Sequence, residues 1–262
     1  MADETRAART VTRAERRRAF PSDQHPYRQI EAVVCALLPD AGTLLDIGCG
    51  RDATRLRRLL RPNQRGLGVD VDTFTPQALS DPRVTLTGVV GERWPTIADD
   101  SVDVAYSVSV FEHLADPAAV VTEAHRVLRP GGTLAVLTPN LFDYVSLASF
   151  VLPNALHPWL VARTEGRDPS KTFPTYYRAN TRRRLTRLLV RGGFLTSRVE
   201  YLASPPSYLK FHPLAWQVGV AYHRAITAAA ITAWLRGWVF AVATKPVSAS
   251  DYPGEGRTPP NP

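Results

Sequence analysis

Cysteine is almost absent: Cys35 and Cys49 are the only two in 262 residues. Two thiols cannot build a disulfide framework or a four-ligand zinc site, and no other metal-ligand spacing or paired-carboxylate spacing stands out. A reducing cytoplasm is the expected setting. The N-terminal stretch also lacks the apolar run that follows the charged start of a secretory signal, so residues 1–23 are expected to be a disordered basic arm. Long uninterrupted hydrophobic segments are missing as well. Tyr144 to Ala162 carries no formal charge, but Pro153, Asn154, His157 and Pro158 break it, and Ala225 to Leu235 is too short to span a bilayer. A soluble protein is expected, with contact at a membrane surface as the secondary reading.

Acids are outnumbered by bases, 24 to 32, and nearly all the bases are arginine, for a net charge of +8. Clusters at Arg13 to Arg18, Arg51 to Arg65 and Arg182 to Arg191 suit phosphate, an anionic surface or nucleic acid, or simply solvate helix faces. Prolines number 22 and gather near the chain ends and in the second half. Length favours one large α/β domain with insertions.

Helical spacing of Ile30, Val33, Val34, Leu37 and Leu38 predicts a helix over Gln29 to Leu38, stopped by Pro39. Thr43 to Ile47 then reads as a strand entering a glycine turn, followed by a helix over Asp52 to Leu60 on which Asp52 is the expected N-cap. Further strands are expected at Gly66 to Asp70, Arg83 to Thr87, Val102 to Val108, Thr133 to Thr138, Leu195 to Tyr201 and Trp238 to Thr244. Helices are expected at Pro117 to Leu128, Thr181 to Val190, closed by Gly192, and Gln217 to Leu235. Buried strands alternating with helices predict a doubly wound, mostly parallel seven-stranded α/β sheet, with function at the carboxyl ends of its strands. The expected domain covers residues 24–244. It carries an apolar lid insertion at 141–180, after the fifth strand, and a helical insertion at 203–236, before the last, and a disordered tail follows at 245–262.

Asp46-Ile47-Gly48-Cys49-Gly50 places an acid at a strand end and glycines where the backbone can approach a ligand, with free N–H groups expected at the start of the next helix. Asp70 ends the second strand 20 residues after Gly50, where an acid can hold both hydroxyls of a ribose. The turn lacks the third glycine of a dinucleotide fingerprint, and Asp52 would repel a pyrophosphate. A nicotinamide-type cofactor is therefore disfavoured.

Leu44 to Gly50, Gly68-Val69-Asp70, Asp100 to Asp103, Val110 to Leu114, Glu123 to Gly132 and Pro139-Asn140 together resemble class I S-adenosylmethionine-dependent methyltransferases of the small-molecule, type 11 family, over roughly residues 26–202. The resemblance implies a Rossmann-like fold and S-adenosyl-L-methionine as cofactor. It implies that Asp46, Gly48, Cys49 and Gly50 line the methionine part, Asp70 binds ribose, Val71 and Asp72 flank adenine, and Ser107 and Val108 lie beneath the cofactor. Val90 stands where relatives carry an adenine-binding acid, and either the Glu92 side chain or the backbone groups of Gly91 and Glu92 are expected to serve in its place. His113 is the candidate general base, and its other reading is a residue that orients the loop. The implied activity is O-methylation of a small-molecule, sugar or lipid-like acceptor. A C-methyltransferase on a quinone-like or isoprenoid acceptor and a non-catalytic S-adenosylmethionine-binding subunit are the alternatives. Nucleic-acid methylation is disfavoured because Ser107 to Val110 lacks an aromatic stacking platform.

Overall fold

The computed structural model describes residues 11–20, 25–88, 93–144, 146 and 173–247. Seven strands form one sheet in the order β3-β2-β1-β4-β5-β7-β6. They are β1 (Thr43–Ile47), β2 (Arg65–Asp70), β3 (Val84–Gly88), β4 (Val102–Val108), β5 (Leu128–Pro139), β6 (Leu195–Leu202) and β7 (Trp238–Thr244). The first five are mutually parallel, and β7 runs antiparallel between β5 and β6. This is the expected doubly wound, Rossmann-like α/β sheet. The order reverses between β1 and β4, which opens a crevice at their carboxyl ends where ligands bind in such sheets.

Side chains alternate across the sheet, so each strand feeds two cores. On one face Leu45, Ile47, Val69 and Leu134 pack with Val120, Val121 and Ala124 of α5 (Pro117–Val127) and Leu185 and Leu189 of α6 (Arg182–Arg191). On the other, Leu44, Val104, Leu137 and Phe240 pack against Ile30 and Val34 of α2 (Pro26–Leu37) and Leu56 of α3 (Thr54–Leu59). Helix α2 begins three residues before the expected Gln29. Pro26 is pre-set for the first turn, and His25 caps it by accepting the Tyr27 N–H at 3.2 Å.

Several expectations need correction. Within the supposed disordered arm, Arg13–Ala19 form helix α1, opened by a Thr12–Glu15 capping box. It is also docked: the Val11 N–H donates to the Lys210 carbonyl at 3.1 Å, and Phe20 packs edge-on against Trp216 and His223. Asp52 is not an N-cap. Ala53 occupies that position in a left-handed conformation with no side-chain cap, and Asp52 instead accepts from the Thr75 hydroxyl at 2.9 Å. The single helix expected over Gln217 to Leu235 is two pieces, α7 (Pro213–Ala228) and a 3-10 helix (Ala230–Leu235), because Ala229 is extended. Strand β5 starts before Gly131 rather than after Gly132. Gly192 does cap α6, and the left-handed residue is the next one, Gly193.

The segment expected to form a lid leaves and returns at one point. The Leu141 N–H donates to the Asn180 carbonyl at 2.8 Å, while the Asn180 amide donates to Thr138 Oγ1 and the Pro139 carbonyl at 2.7 and 2.9 Å. Residues 147–172, most of that segment, lie outside the described residues, as do residues 89–92 and the tail beyond 247.

Candidate active site

Strand β1 delivers Asp46 to the crevice, but on the face covered by α2 and α3. Its carboxylate is 1% exposed. Across the β1–β4 ladder Asp46 is in register with Tyr106, whose hydroxyl donates to Oδ2 at 2.5 Å, while Oδ1 is buried and has no hydrogen-bond partner. Burial pushes the Asp46 carboxyl up to about 7, against the opposing pull of the Tyr106 hydrogen bond and the Arg55 charge. The Tyr106 phenol is raised well above its ordinary value, by burial first and the neighbouring carboxylate second. A buried carboxylate oxygen without a donor is a standing cost, which a bound cation or N–H donor would relieve.

The glycine turn is more closed than a free phosphate cradle. Gly48 and Cys49 N–H groups both donate to the Val69 carbonyl, at 2.8 and 3.2 Å, and the Gly50 N–H donates to Asp70 Oδ2 at 2.6 Å. Gly48 is obligatory: at φ +79 its Cβ would stand 2.2 Å from Val110 Cγ2. Gly50, also left-handed at φ +70, faces open space, with nothing within 4 Å of a Cβ. The amides of the turn are therefore spent within the turn itself. Cys49 turns its thiol toward Gly68 of β2, whose Cβ would lie 2.8 Å from the sulfur, and burial holds that thiol protonated.

Asp70 is fixed from two sides. Besides the Gly50 amide on Oδ2, the Asp72 N–H donates to Oδ1 at 3.0 Å, so the carboxylate is oriented while each oxygen keeps acceptor capacity. Val71 is exposed beside it. Ser107 and Val108 are buried in the sheet, and the Ser107 hydroxyl donates to the Ile47 carbonyl at 3.1 Å, so only their backbone can meet a ligand. Glu92 lies outside the described residues, with Val90.

Glu112 and His113 belong to a strap rather than standing free. The Glu112 carbonyl accepts the Tyr176 N–H at 2.7 Å, and its buried carboxylate accepts the Thr138 hydroxyl at 3.1 Å. Burial raises the Glu112 pKa, opposed by its backbone hydrogen bond and the His113 charge. His113 Nδ1 lies 2.9 Å from the Pro174 carbonyl, which can only accept, so Nδ1 carries the proton. Nε2 then faces Glu112 Oε1 at 3.8 Å. The residues that sequence reading missed are Tyr106 and the pair Tyr27–Ser109, whose hydroxyls lie 3.3 Å apart, with Ser109 left-handed at φ +60. A tyrosine inside a buried strand must place its hydroxyl, and that was the available signal for Tyr106.

Residues 45–136, from the middle of β1 to the middle of β5, match the family described as a methyltransferase domain. These residues, about a third of the chain, resemble a class I S-adenosylmethionine-dependent methyltransferase domain. Over 108 residues the chain is 37% identical to a Mycolicibacterium smegmatis protein named a probable S-adenosylmethionine-dependent methyltransferase, covering 38% of this chain and 39% of that one. It is 34% identical over 113 residues to the 2-methyl-6-phytyl-1,4-hydroquinone methyltransferase of Synechocystis, covering 40% and 35%. The chain thus spans little more than a third of the length of these curated relatives. A chain of the Haloferax volcanii complex between the Trm112 methyltransferase activator and a candidate methyltransferase shares the fold, at TM-score 0.58 and 19% identity over 89% of this chain and 95% of that chain.

Proposed function

We propose that the chain transfers a methyl group from S-adenosylmethionine to an oxygen of a small-molecule, sugar or lipid-like acceptor. The observation that carries this reading is the pair of acids at adjacent strand ends: Asp46, buried with one unpartnered oxygen, and Asp70, its carboxylate pre-oriented by two backbone amides. The first suits an ammonium and the second a vicinal diol, and they sit on neighbouring strands with Asp70 two residues beyond Gly68, the partner of Asp46. A ligand carrying both an amino acid and a ribose answers both, and the open face of Gly50 leaves room between them.

S-adenosylmethionine supplies an electrophilic methyl on a good leaving group. The protein's task is then alignment and exclusion of water rather than strong acid–base work. In this reading Asp46 holds the ammonium, the backbone of Gly48 to Gly50 borders the methionine chain, Asp70 takes the ribose hydroxyls, and Val71, Asp72 and Glu92 flank adenine. Ser107 and Val108 offer backbone only. His113 is the proposed base: with Nδ1–H held by Pro174, the lone pair on Nε2 is the one that accepts a proton from an acceptor hydroxyl.

Calorimetry with S-adenosylmethionine and its demethylated product should show micromolar binding, and its absence would sink the proposal. Incubation with labelled S-adenosylmethionine and fractionated extract identifies the acceptor. Label recovered as a carbon-bound methyl would replace the oxygen assignment with C-methylation. Binding without turnover in any fraction would favour a non-catalytic subunit. His113→Gln should lower kcat and leave S-adenosylmethionine affinity unchanged. An unchanged kcat would leave His113 as part of the strap alone.

A further inference from the structure

Helix α7 presents an apolar stripe to solvent. Leu214 and Val218 are 65% and 67% exposed, and Ala221, Ala225 and Ala228 continue the line. At 100° per residue these five fall within an arc of about 80°. The buried residues of the same helix, Trp216, Gly219 and Ile226, lie on the opposite face. Just beyond the helix Ile231 is 82% exposed, and Trp234 stands half exposed against Phe142. Single exposed apolar residues are ordinary, whereas a helix-long line of them marks a surface that meets something.

Charge identifies what it meets. From residue 201 to residue 250 the sequence has no acid at all, while Lys210, Arg224 and Arg236 lie within the lobe. Helix α1, docked beside α7 through Val11 and Phe20, adds Arg16, Arg17 and Arg18. The one acid on α1, Glu15, is folded back onto the Thr12 backbone and hydroxyl at 2.8 Å each. A cleft of about 540 Å³, floored by Trp216 and Val220 and edged by Arg224, runs between the two helices. An aliphatic stripe flanked by arginines, on a lobe where Glu15 at the cleft is the one acid of the two helices and is held in its capping box, matches the boundary between headgroups and acyl chains of an anionic bilayer. A nucleic acid would use the arginines but gain nothing from Leu214 and Val218.

We infer that α7, with the arginines of α1 beside it, is a docking surface for an anionic lipid membrane. The lobe is tied to the candidate active site. The Asn140 amide, at the carboxyl end of β5, donates to the Trp234 and Arg236 carbonyls at 2.7 and 2.8 Å. Docking on α7 therefore holds the strand ends at a defined place relative to the lipid surface, whichever acceptor the site takes.

Flotation of the full chain with vesicles of neutral phosphatidylcholine, alone or with about a third phosphatidylglycerol, tests this directly. Binding is expected to the anionic vesicles, weaker at high salt. The Leu214→Ser/Val218→Ser variant should lose it at every salt concentration. Arg17→Gln/Arg18→Gln should weaken it on the order of tenfold or more while leaving any neutral-vesicle binding unchanged. Circular dichroism and S-adenosylmethionine affinity check that both variants remain folded. Equal binding to neutral and anionic vesicles, binding unaltered by either variant, or no flotation at all would overturn the inference. So would partition to polyuridylate in place of vesicles, or a dimer that the α7 variant dissolves.

Discussion

The β1–β2–β4 region and the α1–α7 lobe handle polar and apolar groups in opposite ways. Around the glycine turn nearly every polar group is turned inward: Gly48, Cys49 and Gly50 amides, the Ser107 hydroxyl and the Tyr106 phenol all serve neighbouring strands or acids. What is left for a ligand is small and specific, chiefly the free oxygen of Asp46 and the spare acceptor capacity of Asp70. The lobe leaves aliphatic side chains in solvent and surrounds them with arginine. Rigid, satisfied backbone suits recognition of one small molecule, where misplacement by an ångström is costly. A stripe of short apolar side chains needs no such precision and suits a broad surface.

If that contrast is right, substitutions in the first region should be severe and those in the lobe mild for folding and for S-adenosylmethionine. The largest effect is expected for Gly48→Ala. The new Cβ meets Val110 and the residue must hold a left-handed backbone, together roughly 2–4 kcal/mol of lost stability, read as a fall in Tm with loss of cofactor binding. Asp70→Ala should follow, weakening S-adenosylmethionine binding at least tenfold by calorimetry. Unchanged affinity would remove Asp70 from the site.

Tyr106→Phe should cost about 1–3 kcal/mol, because the buried Asp46 carboxylate loses its only hydrogen-bond donor among the described residues. The same acid gives the contrast a pH signature. With a folded value near 7 against an ordinary 3.8, Asp46 makes the folded chain hold an extra proton between these limits. Its contribution to stability is therefore fully present at low pH and is lost as pH rises through about 7. Binding of an ammonium ligand needs the charged form, so affinity should move the other way and fall as pH drops below about 7. Asp46→Asn should flatten both trends, and calorimetry with thermal melts at pH 5.5 and 8 reads them. Smallest of all, Leu214→Ser on α7 should shift Tm by no more than about 2 °C, within the range of a surface change of about half a kcal/mol. A large shift there would show the stripe to be core after all.

Strand positions, the glycine turn and the two acids at strand ends were legible in the sequence because they rest on local rules. Trp238 to Thr244 is an apolar run with strand ends at the expected residues, and Gly48 and Gly50 do adopt the left-handed backbone that their identity permits. Local rules also misled. An acid two residues after a glycine turn looks like a helix cap, yet Asp52 bonds Thr75, 23 residues away, since α3 begins later than its apolar period suggests. Arginine density made residues 11–20 look unstructured, when contacts with Lys210, Trp216 and His223 hold them as a helix. Composition and periodicity by themselves thus determined the sheet and where its ligand end lies, because burial repeats with the period of the chain. Only tertiary structure decided that Asp46 is paired with Tyr106, that Ser107 faces inward and that α7 keeps an apolar face in solvent. Each of these depends on which distant segment occupies the neighbouring space, and no spacing along the chain encodes that.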